Sequence, residues 1–554
     1  MKDRTKSGAP TAKALITVAL VLAATASVAH AQEASDRAPA AEAPAAEAPA
    51  ASATAPTEAA ATTVSEPAAT PATEQTPAPV TAVTPTPAAT LPPMPAPATA
   101  TTPTPMQTPA DVEQDISWFA RPSLTVVAGE GARQFKLTLF GFAEVDYMYD
   151  TTRSYEDAIG SSLVAPANTY DGNHGRSQFS MRNSRLGFAF ESPTVGGVKP
   201  TAVLEADFFG HQDSPPETSE NTYFDSPTFR VRHAYVKMET PYLDVVLGQT
   251  YDLFGWQNFS SPCSIQFLGL PNQLFSRNPQ LRLSHSFGAA GPVGVDIAIS
   301  AGRPAQRDSQ IPDGSGGLRI VLNRWKGLTT PGNVGTRVLP AAIGVSGIVR
   351  SFRANAFAPP PVNESNTVRG WGMAIDALVP IVPASSPGER GNRLTLTGAF
   401  VRGTGIADLI TSGGGVKFPP LQNPAQATPA PEYQGNVDST LVTFDANGVA
   451  HTLNWTAFRI GLQYYLPPSG RFLFSANYTQ SHSDNVSKLF PKGGSDVELR
   501  ATTADTSRYA DANLFWDATP ALRVGISGQY TQVRYLEGDQ PHNFRGMAQS
   551  AYQF

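Results

Sequence analysis

From Phe135 onward, apolar and polar residues alternate. In "FKLTLFGFAEVDYMYD", Phe135, Leu137, Leu139, Gly141, Ala143, Val145, Tyr147 and Tyr149 share one face. Lys136, Thr138, Glu144, Asp146 and Asp150 share the other, with Phe140 and Phe142 as apolar exceptions. A period of two over this length predicts one long strand, apolar on one side and polar on the other. Similar runs follow at 176–192, 198–210, 227–239, 242–250, 279–288, 292–302, 317–326 and 336–352. More occur at 367–381, 393–404, 454–466, 471–483, 507–517, 521–535 and 542–554, which brings the predicted strands to sixteen.

The connections alternate in length. "SPTVGG", "TPY", "GAAGP", "PPSG" and "ATPA" are tight, and 327–335 and 382–392 somewhat longer. The intervening segments 151–175, 211–226, 251–278, 303–316, 353–366, 405–453 and 484–506 are long and rich in Gly, Pro, Asn, Asp and Ser. Short turns on one edge and long loops on the other predict an all-β fold, a 16-stranded antiparallel transmembrane β-barrel of the outer-membrane type. A soluble sandwich would have shorter strands and no such asymmetry.

The last stretch, "FRGMAQSAYQF", fits that reading. Ala548, Ser550, Tyr552 and Phe554 have one parity; Arg545, Met547, Gln549, Ala551 and Gln553 have the other. In lipid every strand edge must be paired, so the last strand is expected to close on the first. Tyr552 and Phe554 then sit in the periplasmic aromatic girdle. This ending is also similar to the C-terminal signal read by the bacterial barrel-assembly machinery, an expected partner.

Upstream the texture differs. Lys2, Arg4, Lys6 and Lys13 precede "ALITVALVLAATASVA", and Ala29–Ala31 supply small residues at a cleavage site, so 1–31 reads as a secretory signal peptide. Residues 32–130 are dominated by Ala, Pro, Thr and Glu and are expected to form a disordered periplasmic spacer. A candidate short helix lies at 111–120, and the spacer is a candidate for contact with peptidoglycan. The barrel is assigned to 131–554.

Composition narrows the function. Net charge is −6 and only 16% of residues are charged, so no nucleic-acid partner is expected. A single cysteine, Cys263, excludes an intrachain disulfide and a Cys-based metal site. A mean hydropathy of −0.19 argues against a helical membrane protein but suits a barrel, where only alternate residues meet lipid.

Five stretches carry a family resemblance: "RNSRLGF" (Arg182–Phe188), "LEADFFG" (Leu204–Gly210), "FRVRHAYV" (Phe229–Val236), "LGQTYDLFG" (Leu247–Gly255) and "NPQLRLSH" (Asn278–His285). Together they resemble the DcaP-like trimeric porins of Gram-negative outer membranes, relatives in style of the phosphate-selective porins. The resemblance implies a homotrimer that conducts small, often anionic, solutes. Those porins typically carry an N-terminal coiled coil, whereas this N-terminus shows no heptads.

Strand parity nominates pore-lining residues. Leu186, Phe188 and Phe190 face lipid, so Arg185 points into the lumen; the same rule places Arg282, Glu144, Asp146, Glu205 and Asp207 inside. Arg230 and Arg232 are placed inside because a charge at mid-membrane depth on the lipid face costs a few kcal/mol. These charges either set the field for ion selection or pair across strands and brace the wall. The apolar 251–278 segment is a candidate inward-folding constriction, with a cover over a subunit contact or under other loops as its alternative.

No catalytic residues, metal ligands or cofactor are expected. G-x-S-x-G, H-E-x-x-H and the phosphate-binding loop motif are absent from the sequence. The expected function is a porin for passive diffusion of small hydrophilic solutes, anionic ones among them, in outer-membrane lipid. The alternative is a structural anchor or adhesin tethered to the cell wall.

Overall fold

The computed structural model describes residues 124–554 except 159–162, 211–226, 258, 267–268, 306–308, 332–334, 356–364, 412–439, 445–448 and 490–496. The signal peptide, the spacer to residue 123 and the candidate helix at 111–120 lie outside them, as does much of the 405–453 loop.

The strands in chain order are Leu124–Ala128 (β1), Phe135–Asp150 (β2), Arg176–Ser180 (β3), Arg185–Glu191 (β4), Lys199–Asp207 (β5), Arg230–Glu239 (β6), Asp244–Tyr251 (β7) and Arg277–Phe287 (β8). They continue with Gly294–Gly302 (β9), Asp313–Thr329 (β10), Arg337–Asn355 (β11), Ser365–Val382 (β12) and Arg393–Thr404 (β13). A small hairpin, Val442–Phe444 (β14) and Ala450–Thr452 (β15), precedes Asn454–Tyr465 (β16), Phe472–Ser483 (β17), Ala504–Asp517 (β18), Leu522–Tyr535 (β19) and His542–Gln553 (β20).

All but the small hairpin belong to one 18-segment sheet. From β4 on, each strand pairs antiparallel with the next in sequence, β13 pairing with β16 past the small hairpin, and β2 pairs with β20, from Phe142 opposite Gln553 to Asp150 opposite Arg545. β3 and β4 both pair with β2 and form one broken stave. β1 pairs with the lower part of β2, from Leu139 to Phe135, in the lane that β20 occupies higher up. Counted as staves, the barrel is closed and sixteen-stranded, as the alternation predicts. β1 corrects one boundary: the spacer assigned through residue 130 gives way to a strand at Leu124. Its Thr-Val-Val run has β-branched residues suited to a pleated surface.

The seam is tight. Gly141 N donates to Phe554 O at 2.9 Å, and Phe554 N donates back to Gly141 O at 3.1 Å. A Cβ on Gly141 would stand 2.2 Å from Arg185 O, so the close approach of β4 requires glycine here. Tyr552 is exposed on the outer face.

Alternation sets the two faces of the wall. On β12, Trp371, Met373 and Ile375 are exposed while Gly372, Ala374 and Asp376 are buried. The outer face is therefore an apolar band suited to lipid and the inner face is largely polar. A register slip of one residue would turn charges such as Asp376 and Arg350 outward, so the pattern fixes the register. The packed core lies inside the barrel, where connecting segments meet the inner wall.

Candidate functional site

The described residues of the segment joining β7 to β8, within 252–276, turn into the lumen. Its first turn is apolar: Leu253, Phe254, Trp256 and Phe259 are all at most 2% exposed. The wall is recessed to receive it. A Cβ on Gly344 would come within 2.7 Å of Trp256 Cδ1, one on Gly317 within 2.9 Å of its Cε2, and one on Gly372 within 2.6 Å of Phe254 Cζ. Glycines on β10, β11 and β12 thus form the socket for these rings.

Trp256 itself has φ of 40°, a conformation that bulky residues rarely adopt. The contacts around it hold that backbone. Trp256 Nε1 donates to Val345 O at 3.1 Å, and Gly255 N donates to Ser346 Oγ at 2.7 Å. The Arg319 guanidinium lies over both Trp256 and Phe259, 4.8 and 4.1 Å from their ring centroids.

Farther along, the segment crosses to strands on the far side. Arg459 Nη1 donates to Ser260 O at 2.7 Å, and Asn477 Nδ2 to Cys263 O at 2.8 Å. Gln549 Nε2 donates to Ile265 O at 2.5 Å, and Gln266 Nε2 to Asp146 Oδ2 at 3.3 Å and Asp157 O at 2.8 Å. Polar residues on the inner faces of β16, β17 and β20 thus satisfy backbone groups that a buried loop would otherwise strand without partners, while Asp146 on β2 holds the Gln266 side chain. Its return limb pairs with the start of the 405–453 connection, through a bridge between Leu274 and Ile410.

A second feature lies on β4 to β8. Arg232, fully buried, donates through Nε to Glu205 at 2.6 Å and through Nη1 to Asp207 at 2.8 Å. Arg230 grips Asp207 with two bonds of 2.9 and 2.6 Å, and Arg185 stands 3.9 Å from Glu205. Arg277 joins them, its guanidinium 5.8 Å from the Tyr251 ring centroid. Four guanidiniums thus gather around two carboxylates. Of the ion-paired members, Arg230 keeps the most exposed side chain, at 38%.

A bulge makes this cluster possible. Glu205 pairs with His233 but Ala206 pairs with Val231, so Arg232 is an extra residue in β6. Arg230 and Arg232 point inward below the shift, and His233, Tyr235 and Lys237 do so beyond it. The Gln249 side chain on β7 donates to Val231 O at 2.8 Å, so it serves a carbonyl beside the bulge.

The other residues nominated from parity are also buried but lie elsewhere. Arg282 bonds Gln280 and Tyr251 O. Glu144 accepts from Asn183 Nδ2 at 2.7 Å, and Asp146 accepts from Gln266. Sequence reasoning passed over Arg277, Arg319, Arg350, Arg459 and Arg545. The last four sit at the polar parity of long strands, so the rule applied to Arg185 could have found them.

Two carboxyls in the connecting segments are shifted by their surroundings. Burial raises the Asp157 carboxyl above its ordinary range, although Arg182 stands 2.9 Å away. Burial also raises Asp252, which accepts from the Ser276 hydroxyl at the mouth of the inward segment.

No family model and no curated protein matches the chain. Among solved structures, the outer membrane channel DcaP of Acinetobacter baumannii is similar over 76% of this chain and 97% of its own, at 16% identity and a TM-score of 0.52. An anion-selective porin from Comamonas acidovorans aligns over 76% of this chain and 100% of its own, at 9% identity and a TM-score of 0.40. OmpT of Vibrio cholerae in its trimer form aligns over 76% and 99%, at 10% identity and a TM-score of 0.41. The likeness to the DcaP channel is one of fold, and at that level it bears out the resemblance read from the sequence.

Proposed function

We propose that this chain is an outer-membrane channel that lets small hydrophilic solutes diffuse down their gradients, with residues 252–276 setting the bore. One observation carries the reading: the inner wall is polar and charged while the outer wall is apolar. Sixteen strands enclose more space than wall side chains can fill, and here the described residues of 252–276 enter that space. The process involves no turnover and no cofactor.

A preference for anions belongs to the same proposal. The β4–β8 cluster sets Arg185, Arg230, Arg232 and Arg277 against Glu205 and Asp207, so its formal charge is positive. Arg232 neutralises buried carboxylates and braces the wall, while Arg230 supports selectivity because its head is the more exposed. Glu144, Asp146 and Arg282 are assigned to the lumen lining. Assembly as a homotrimer in the outer membrane, with the N-terminal spacer in the periplasm, completes the reading.

Liposome swelling with the full chain tests it. Swelling should be fast in small sugars and slower as solute size rises. No swelling from a folded, heat-modifiable protein would favour the anchor alternative.

A further inference from the structure

The outer wall carries cations where it leaves the apolar band. Arg402, His482 and Arg534 lie in one continuous row of cross-strand partners, Arg402–Thr456–His482–Thr506–Arg534. Arg508 lies two residues toward the membrane centre, between Gln480 and Gln532. Arg369 lies farther out on β12, two residues beyond the exposed Trp371. Directly below, Ile460, Tyr478, Ala510 and Tyr530 form a row that is mostly apolar and aromatic.

These side chains point away from the lumen. They share parity with exposed Phe400, Leu514 and Ile526, and the Arg402 side chain is 63% exposed. Two carboxylates accompany them. Asp484 lies 3.5 Å from Arg402 and 3.6 Å from His482, and Asp505 accepts from Arg534 at 2.8 and 2.9 Å. Arg508 donates to Gln532 Oε1 at 3.0 Å, and Arg369 has no ion pair among the described residues. The outward positions of β4, β5, β6 and β9 carry no Arg or Lys.

Arginine on a lipid-facing wall is costly at mid-depth, and near the interface it meets anionic headgroups instead. The long loops mark this edge as the extracellular one. We propose that the outer ends of β12, β13, β17, β18 and β19 bind the phosphates of a phosphorylated glycolipid in the outer leaflet. Arg369, Arg402, Arg508 and Arg534 supply the donors, and the row below receives the acyl chains. Planar guanidinium forks match phosphate oxygens two at a time. This inference goes beyond the channel reading and does not depend on conduction.

Native mass spectrometry of the full-length protein in detergent tests it, with diphosphoryl lipid A as probe. Wild type should retain the lipid, and a lipid A stripped of both phosphates should be lost. The triple variant R369Q/R402Q/R508Q should bind about 100-fold more weakly, at about 1 kcal/mol per arginine. The corresponding triple Lys variant, which keeps the charges but loses the paired donors, should bind at an intermediate strength. If the Gln triple does not fold, Arg508→Gln alone decides, with about a fivefold loss expected. Equal retention by wild type and the Gln variant, or of the stripped lipid, overturns the proposal. So does inorganic phosphate binding with the same arginine dependence, because the ligand would then be the free ion.

Discussion

The guanidinium of Arg319 lies over the indole of Trp256, 4.8 Å from guanidinium carbon to ring centroid. The same arginine is held from the wall by Asp296, to whose Oδ2 its Nε and Nη2 donate at 3.0 and 2.7 Å. Strand β10 thereby fixes the inward segment at Trp256, whose φ is positive. Trp256→Ala should cost about 3 kcal/mol, the lower end for emptying a buried aromatic site. It should also raise and scatter single-channel conductance as the segment loses its anchor. Arg319→Lys keeps the charge opposite Asp296 but loses the planar stack, so it should reproduce the scatter in milder form. Urea unfolding and bilayer recordings of both variants are the checks.

The socket makes a matching prediction from the wall side. A Cβ at position 344 would meet Trp256 at 2.7 Å and Asp376 at 3.1 Å. Gly344→Val should displace the indole and copy the conductance of Trp256→Ala, while Gly316→Val on the outer face should not. The double variant of Gly344→Val and Trp256→Ala should be no worse than either alone, because both remove the same contact.

The β4–β8 cluster separates bracing from selectivity. Arg232→Gln removes the fully buried guanidinium that bonds both Glu205 and Asp207 and should cost about 3 kcal/mol or more. Arg230→Gln should leave stability almost unchanged, since Asp207 keeps Arg232, yet move the reversal potential in a KCl gradient toward cations. A stable Arg232→Gln barrel, or an unchanged reversal potential in Arg230→Gln, would reverse the roles assigned to the two arginines.

Acid should tighten the inward segment. Burial raises the Asp157 and Asp252 carboxyls, so the docked arrangement favours their protonated forms. Their contribution is complete below the ordinary carboxylate value, about 3.9, and is lost as pH rises through the raised values. The closed fraction in bilayer recordings should therefore grow as pH falls from 7 toward 4. Asp252→Asn, which mimics the protonated group, should flatten that profile.

Closure depends on one residue without a side chain. Gly141→Val would drive its branched side chain into Arg185 O at the seam. Heat-modifiable mobility on gels should be lost, whereas Gly546→Val, where a Cβ meets nothing within 4 Å, should still fold.

Much of this architecture was legible because a barrel writes its inside and outside into alternate residues. Strand number, loop asymmetry and the inward turn of Arg185, Glu205 and Asp207 all follow from parity. Three things escaped it. The Arg232 bulge shifts parity within β6, and a one-residue insertion leaves no mark in a strand with polar residues at both parities. The second is the site at which residues 252–276 dock. Apolar composition suggested an inward fold, but the socket is written as Gly317, Gly344 and Gly372 on three strands that adjoin only in space. β1 was missed because a five-residue strand beside Ala/Pro-rich sequence has too few alternations to stand out.

Single-channel recording of the full-length protein in a planar bilayer tests the central claim most directly. Wild type is expected to give discrete steps grouped in threes, with a reversal potential on the anion side in a KCl gradient. A folded, heat-modifiable barrel that gives no steps, in wild type and in Trp256→Ala alike, would contradict the channel itself.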